Sequence, residues 1–246
     1  RGRLILKSFA KRVAPLMLGV VMIAVAGSAP ADARTLAKKP AGAGAVTEHE
    51  GGHILGDPEA PNHLIEFMSY TCSHCADFAR TGEGAIKLAY IPTGKVNLEI
   101  RHFIRDPIDM TAALLTQCGP TAKFPANHSA IILKQDEWLA KARTATQAQK
   151  SRWQFGTHSA RFQAIASDLG FYDIMISRGY TRAALDICLS DTAKADAIAE
   201  TSRADVAKYG LRGTPSFVLN GTLLENVYGW EALRPHLDKF FTKPRS

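Results

Sequence analysis

The sequence lacks a large charge excess, an internal repeat and a long hydrophobic run. Its formal net charge is +7 over 246 residues, and more than half of that excess lies in residues 1–33. The small remainder, without a patch of mixed basic and aromatic side chains, argues against nucleic acid as a partner. The longest apolar run, residues 13–26, is about 15 residues long, which is short for a stable membrane span. With 46% hydrophobic and 22% charged residues, the composition is that of a globular protein.

Metal-binding patterns are also missing. The chain has four cysteines, Cys72, Cys75, Cys118 and Cys188. Neither of the last two has a C-x-x-C or H-x-x-x-H neighbour, so their spacing does not predict a zinc site. Covalent haem attachment needs a histidine directly after the second cysteine of C-x-x-C, and position 76 is alanine. We therefore expect neither a metal nor a cofactor.

The first 33 residues have the pattern of an export signal. Basic residues precede the apolar run, which leads to the small-x-small sequence Ala31-Asp32-Ala33. This pattern predicts a signal peptide over residues 1–33 and a periplasmic location, and the alternative is an uncleaved membrane anchor with the protein facing the periplasm. Residues 34–60 are rich in alanine, glycine, lysine and proline, which predicts a flexible leader. A short edge strand is possible at residues 54–58.

The most informative stretch is Cys72-Ser73-His74-Cys75. It follows an apolar strand predicted over residues 63–69 and begins a helical pattern that extends to about residue 90. A cysteine in the first turn of a helix lies near unpaired N–H groups at the positive end of the helix dipole, which favours the thiolate. Cys75 lies on the same helical face, where it can attack a mixed disulfide formed by Cys72. C-x-x-C at this position is typical of the thioredoxin fold.

The rest of the chain supplies the remaining elements of that fold. Residues 96–104 alternate as a half-buried strand does and complete a βαβ unit. Residues 106–203 have helical periodicity, and a strand, an Asn-Gly turn, a second strand and a helix follow between residues 210 and 241. We therefore predict an α/β protein with a thioredoxin-like fold and an inserted α-helical domain. The predicted ranges are 61–106 and 205–243 for the thioredoxin-like part and 107–204 for the insertion.

Cys118 and Cys188 both lie on apolar faces of predicted helices. An even number of cysteines in an exported chain favours pairing, so these two are the natural structural disulfide. Closing a loop of this length would stabilise the fold by roughly 4 kcal/mol on the chain-entropy account. Two separate buried thiols are the alternative.

These features together resemble the DsbA-like periplasmic thiol-disulfide oxidoreductases. The similarity rests on the sequence around the C-x-x-C motif (residues 67–75), on the helical block, and on residues 209–221 with their Gly-Thr-Pro-Ser-Phe segment. It covers about residues 60–241. A lone C-x-x-C is a weak signal, but its combination with this second segment in an exported chain is specific.

The resemblance implies roles for the motif residues. Cys72 would be the exposed nucleophile and Cys75 the buried resolving thiol, and the two would form the redox-active disulfide. His74 would stabilise the Cys72 thiolate, which makes the disulfide a stronger oxidant because exchange favours the better leaving thiolate. The alternative is that His74 is an exposed loop histidine without effect on Cys72.

Substrate binding is expected at Ser73 and at the loop formed by Gly213, Thr214 and Pro215. In the family this loop faces the cysteines and pairs with the substrate backbone through a segment that contains a cis-proline. Because cis X–Pro bonds are uncommon, the cis geometry is expected from the resemblance alone, and an ordinary trans turn is the alternative.

Glu66 is a further catalytic candidate. It precedes Cys72 by six positions, where the family has a buried acid under the active site. A carboxyl group among apolar neighbours should have a raised pKa and could exchange a proton with Cys75 through water. The alternative is an exposed strand residue.

Two departures from DsbA bear on the predicted activity. Ser73 stands where DsbA has proline, and Thr214 stands where DsbA has valine and periplasmic isomerases and reductases have threonine. The short leader leaves no room for the dimerisation domain of the isomerases, so we predict a monomer that introduces disulfides into folding proteins. A disulfide isomerase or reductase, or a non-catalytic thioredoxin-fold binding module, are the alternatives. Expected partners are unfolded or reduced exported proteins and a membrane redox partner that reoxidises the enzyme.

Overall fold

A twisted, mixed β-sheet organises the structure, a computed structural model that describes residues 44–241. The strand order is β1-β2-β4-β3-β5-β6, with β3 and β4 parallel and the other neighbours antiparallel. The predicted signal peptide, residues 1–33, lies outside the described residues. The strands are β1 (Val46–His49), β2 (Gly52–Leu55), β3 (Asn62–Met68), β4 (Val96–His102), β5 (Ser216–Leu219) and β6 (Thr222–Leu223).

The prediction of a flexible leader over residues 34–60 is wrong for residues 46–55. Residues 46–55 form a β-hairpin, and its second strand, β2, lies inside the sheet between β1 and β4. All four residues of β2 are buried, including Ile54 and Leu55. The apolar side chains and the free edge of β4 thus order a segment whose glycines and prolines suggested a loop.

The parallel pair β3–β4 is joined by one helical segment. It begins with α1 (Ser73–Phe78) and continues through π-helical turns to a 3₁₀ turn at Ile91–Thr93. Gly94 then ends the segment in the left-handed region, with φ 69°. Strand β4 was expected to be half-buried, but all seven of its residues are buried because helices cover both of its faces.

A block of eight helices separates β4 from β5. Side-chain caps begin several of them, and Asp106 and Thr157 are examples that accept hydrogen bonds from N–H groups of the first turn. No helix among residues 44–241 has the length and apolarity needed to cross a membrane. The helices are α2 (Pro107–Thr116), α3 (Phe124–Ile132), α4 (Gln135–Arg143), α5 (Gln147–Gln154), α6 (His158–Leu169), α7 (Phe171–Ile176), α8 (Arg182–Ser190) and α9 (Thr192–Tyr209).

The helical block and the sheet share one compact unit. Helix α9 runs to Tyr209, so the boundary predicted at residue 205 falls inside a helix. The main core lies between one face of the sheet and the other helices, including the terminal helix α10 (Trp230–Asp238). A smaller core of Ile65, Phe67 and Val218 lies on the opposite face, near the end of α9. The C-terminal edge of β3, where α1 begins, is enclosed by elements from both parts of the chain.

Candidate active site

Cys72 lies at the junction between β3 and α1. Strand β3 ends at Met68, and Cys72 is the N-cap residue of α1 in an extended conformation (φ −96°, ψ 120°). Its carbonyl oxygen accepts a helical hydrogen bond from the N–H of Ala76 at 3.3 Å. The N–H groups of the first helical turn have no partner within the helix and are therefore available to the Cys72 side chain. Both Cys72 and Cys75 are free thiols.

The two thiols differ strongly in acidity. A hydrogen bond from the Cys75 thiol contributes most to lowering the pKa of Cys72, to about 5, and burial opposes it. The Thr214 side chain and the backbone N–H groups of Cys75 and His74 lower this pKa further. Burial, and then the neighbouring Cys72, raise the pKa of Cys75 well above its usual range. At neutral pH the site therefore holds a Cys72 thiolate beside a protonated Cys75, as a nucleophile and a resolving thiol require.

The Gly213-Thr214-Pro215 loop lies against Cys72. Strand β5 pairs antiparallel with β3, with Ser216 opposite Phe67, so the residues before β5 lie beside those that follow β3. The Cys72 sulfur lies 3.1 Å from the Thr214 carbonyl oxygen, to which the protonated thiol can donate, and the Thr214–Pro215 peptide bond is cis. Only 6% of the Cys72 surface is exposed. The exposed nucleophile expected from the resemblance is thus a largely covered one, because the Thr214 loop packs on it.

An open cleft of about 780 Å³ begins beside the cysteines. His74, Gly213 and Thr214 contribute to its lining, and Arg212, Glu225 and Tyr228 are among the residues farther along. Ser73 and Pro215, the other two predicted substrate-binding residues, are not part of this lining. Ser73 is an exposed residue at the start of α1, and Pro215 is buried behind the loop. The cleft offers peptide-sized space with both apolar and charged side chains.

Glu66 is buried beneath the cysteines, with 1% of its surface exposed. Neither carboxyl oxygen has a hydrogen-bond partner among the described residues. Burial contributes most to raising the pKa of Glu66 well above its usual range, and the negative charges of Glu83 and Cys72 add to the rise. The exposed alternative is therefore wrong. The raised pKa favours the protonated form of Glu66, which lies close enough to Cys75 to influence the pKa of that thiol.

The sequence of this chain is similar to that of known thioredoxin-family proteins. A family model described as thioredoxin matches residues 48–239. The chain belongs to the thioredoxin family. A relative from Rickettsia prowazekii (strain Madrid E), whose name describes a protein-disulfide oxidoreductase, is 30% identical over 188 residues, which are 76% of this chain and 60% of the relative. The chain thus spans about three fifths of the length of that relative.

Solved structures of the thioredoxin family share the fold. A protein-disulfide isomerase from Novosphingobium aromaticivorans is 42% identical, with a TM-score of 0.76, and the match covers 80% of this chain and all of that one. The alpha-DsbA1 protein of Wolbachia pipientis is 23% identical, with a TM-score of 0.63 and coverage of 79% and 92%. The predicted DsbA-like resemblance and the thioredoxin-like fold with a helical insertion are thereby confirmed.

The insertion of this thioredoxin-family protein contains a disulfide. Cys118, which follows α2, and Cys188, in α8, are bridged with a Cα–Cα distance of 5.8 Å. The bridge therefore joins the segment after α2 to helix α8 and is separate from the free pair at the active site. Among residues 44–241, no group of three or more histidine, cysteine or acidic side chains is arranged to hold a metal ion.

Several buried polar residues near the cysteines were not predicted. Glu83 accepts hydrogen bonds from His128 at 2.9 Å and from Lys87 at 2.5 Å. Burial would raise the pKa of Glu83, but these two partners outweigh it and lower the pKa to about 2. The i,i+4 spacing of Glu83 and Lys87 was the available sequence signal. His128 comes from α3, in the insertion, and no local pattern could have placed it there.

Proposed function

We propose that this protein is an exported thiol-disulfide oxidoreductase that introduces disulfides into folding proteins through Cys72-Ser73-His74-Cys75. The observation that carries the proposal is the opposite shift of the two thiols, with the pKa of Cys72 lowered to about 5 and that of Cys75 raised. A sulfur with a low pKa is a good leaving group in disulfide exchange. Stabilising it also favours the reduced enzyme, which makes the oxidised enzyme a better oxidant.

The reaction consists of two exchanges. A substrate thiolate attacks the Cys72 sulfur of the oxidised enzyme, the Cys72–Cys75 bond breaks, and Cys75 gains a proton. A second substrate thiolate then attacks the substrate sulfur of the mixed disulfide and releases Cys72 as a thiolate. The substrate loses two electrons, and the enzyme ends as the dithiol. A membrane redox partner takes up those electrons when it reoxidises the enzyme.

Glu66 carries the proton that Cys75 gains or loses in this scheme. Its raised pKa favours the protonated form, which can neutralise the Cys75 thiolate as that thiolate leaves. The Thr214–Pro215 loop and the adjacent cleft receive the substrate backbone, and the exposed His74 ring stabilises the Cys72 thiolate. Ser73 and Gly213 are the further residues to which we assign substrate contact.

Cysteine variants test the two-cysteine mechanism. Cys72→Ser should abolish exchange, whereas Cys75→Ser should form mixed disulfides with substrates that gel electrophoresis without reductant detects. The matched control is the double variant Cys118→Ser/Cys188→Ser, which also removes a cysteine pair and should retain exchange wherever it remains folded. Active wild-type protein whose Cys75→Ser variant traps no substrate would contradict the proposal.

A disulfide isomerase or reductase is the second candidate function. Thr214 before the proline favours it, and so does the match of 42% identity to a protein named as a disulfide isomerase. Refolding of fully reduced ribonuclease measures oxidation, refolding of scrambled ribonuclease measures isomerisation, and insulin precipitation measures reduction. An oxidase should be fastest in the first assay relative to glutathione alone. A binding module should be inactive in all three.

The location and the partners are parts of the same proposal. The basic, apolar and small-x-small segments of residues 1–33 support export, with reduced exported proteins as substrates and a monomer as the working form. Fusion of residues 1–33 to a phosphatase that is active only in the periplasm should give active, processed reporter. Active but unprocessed reporter would indicate the membrane-anchored alternative, and inactive reporter would contradict export.

A further inference from the structure

The loop that leads into Cys72 is held by the helical insertion. We call residues 69–72, between β3 and α1, the active-site loop. Its polar groups contact side chains from α2 and α4, elements that lie more than 30 residues farther along the chain. None of these partners belongs to the C-x-x-C motif or to the proline loop.

Gln135, the first residue of α4, is fully buried against this loop. Its side-chain amide nitrogen donates to two backbone carbonyls, that of Tyr70 at 2.6 Å and that of Cys72 at 2.8 Å. The Cys72 carbonyl also accepts the helical hydrogen bond from Ala76. Gln135 therefore fixes the peptide group that joins the nucleophilic cysteine to its helix.

Asp109 of α2 holds the loop from the other direction. It is also fully buried, and its carboxylate accepts from the Tyr70 N–H at 2.8 Å and from the Ser69 hydroxyl at 2.6 Å. The N–H and the C=O of Tyr70 are thus both bound by side chains of the insertion. Its phenol is bound there too, by Thr116 at 3.0 Å.

The orientation of this loop bears directly on the Cys72 sulfur. Cys72 is an N-cap residue, so its backbone angles decide whether its sulfur lies over the N–H groups of the first helical turn. The N–H groups of His74 and Cys75 are among the contributions that favour the thiolate. If the Cys72 carbonyl were free to rotate, those donors would no longer be aimed at the sulfur.

We propose that Gln135, assisted by Asp109, is a positioning residue for disulfide exchange: it fixes the Cys72 carbonyl so that the first helical turn is directed at the Cys72 sulfur. The inference rests on the proposed function, since it concerns the sulfur assigned there as the nucleophile. It gives the helical insertion a part in setting the thiol chemistry, in addition to any contribution to substrate binding.

A matched pair of buried amides separates this role from ordinary structural support. Asn127 of α3 is also fully buried, and its amide nitrogen donates to two backbone carbonyls, those of Thr116 and Cys118, each at 3.3 Å, and to the Tyr180 hydroxyl at 2.8 Å. In Asn127 and Gln135 alike, the amide oxygen has no partner among the described residues. Gln135→Met and Asn127→Leu therefore both remove the hydrogen bonds of a buried amide, and of the two residues only Gln135 bonds directly to the backbone of the active-site loop.

The experiment measures the Cys72 thiolate directly, by its ultraviolet absorbance during a pH titration and by the equilibrium of the full-length protein with glutathione. Gln135→Met should raise the Cys72 pKa by about one unit and shift the glutathione equilibrium about tenfold towards the enzyme disulfide, since one pKa unit is a factor of ten. Asn127→Leu should lower the thermal midpoint comparably and leave both thiol measurements unchanged. Asp109→Asn, which keeps an acceptor oxygen, should raise the Cys72 pKa by less. It is the test variant if Gln135→Met does not fold.

Two outcomes would overturn the proposal: an unchanged Cys72 titration in both loop variants, or equal shifts in Gln135→Met and Asn127→Leu. A failure of the proposed function has a different signature. In that case wild-type Cys72 would titrate near the ordinary thiol value of about 8.5. A wild-type protein with an acidic Cys72 that is indifferent to Gln135 and Asp109 would refute the positioning role alone.

Discussion

Glu66 and Glu99 are buried carboxyl groups on neighbouring parallel strands, and they have opposite properties. The register pairs Glu66 with Ile100 and Glu99 with Ile65, which places the two carboxyl groups on opposite faces of the sheet. Glu66 lies beneath the cysteines without a hydrogen-bond partner among the described residues. Glu99 has three partners, His63 and Arg101 at 2.7 Å and His49 at 3.2 Å.

The difference teaches that the supply of partners, and not burial, decides the charge of a carboxyl group. Burial raises the pKa of Glu66, and the charge of Lys87 opposes it only in part. Burial also acts on Glu99, but the hydrogen bonds from His63 and Arg101 outweigh it and lower the pKa. A neutral Glu66 can exchange a proton with a neighbouring thiol, whereas an ionised Glu99 is a fixed anchor for the strands around it.

The largest expected effect is on Glu99. Glu99→Ala leaves the buried Arg101 with one fewer partner, and we expect it to lower the free energy of unfolding by about 3 kcal/mol. The Cys72 titration should not change, since the other face of the sheet is affected. Urea unfolding measures the loss. Glu50→Ala, which removes the exposed partner of Arg101, is the control and should cost less than about 1 kcal/mol.

The second prediction concerns Glu66. Glu66→Leu replaces an unpartnered carboxyl group with an apolar side chain, and we expect it to stabilise the protein by about 2 kcal/mol at pH 7. The gain should be smaller at pH 4. Because the folded pKa is raised, the native state keeps its proton while the unfolded chain loses it above its own pKa, so wild-type stability falls as the pH rises.

The same Glu66 variant should exchange disulfides more slowly, by about tenfold or more, because it lacks the carboxyl group that exchanges a proton with Cys75. Unfolding curves at the two pH values and the rate of the Cys75 step measure both effects. A variant with wild-type rates would remove Glu66 from the mechanism, even if the gain in stability were present.

The third prediction uses His63, whose hydrogen bond to Glu99 raises its pKa. A raised folded pKa means that the stabilisation is fully present below the unfolded pKa and is lost as the pH rises through the folded value. His63→Gln should therefore cost about 1.5 kcal/mol at pH 6 and less at pH 9. His158→Gln, the same change at an exposed position, is the control. Equal losses at both pH values would contradict the charged interaction.

The smallest effect is expected at His49. Its side chain is 44% exposed and lies 3.2 Å from Glu99, so solvent screens the interaction. His49→Gln should lower the free energy of unfolding by about 0.5 kcal/mol or less. Urea unfolding at pH 6 measures it beside His63→Gln. A loss as large as that of His63→Gln would mean that solvent exposure does not determine how much each partner of Glu99 contributes to stability.

Local sequence patterns predicted much of this molecule. The apolar strand before Cys72, the helix after it and the Gly213-Thr214-Pro215 loop are each defined by a few consecutive residues, and the structure contains all three. The Asn220-Gly221 turn between β5 and β6 is of the same kind. Family resemblance then supplied the arrangement that brings the separate pieces together.

Sequence patterns did not predict the long-range contacts. Glu99 and Arg101 alternate with apolar residues in β4, which is the usual pattern of a half-exposed strand, but both are buried by residues distant in the chain, including Asp205 of α9. Strand β2 is ordered by pairing with β4, more than 40 residues away. Gln135 reaches a loop more than 60 residues before it. In each case the deciding partner is distant in the chain and leaves no local periodicity.

The distance along the chain between Cys72 and Thr214 also has a consequence for biosynthesis. A growing polypeptide exposes both motif cysteines long before residue 214 has been made, so the contact at 3.1 Å cannot yet exist. During that interval Cys72 lacks the contribution of Thr214 to lowering its pKa, so a smaller fraction of it is thiolate than in the finished protein. The full lowering of the Cys72 pKa is thus reached only after Cys118 and Cys188 have both been synthesised.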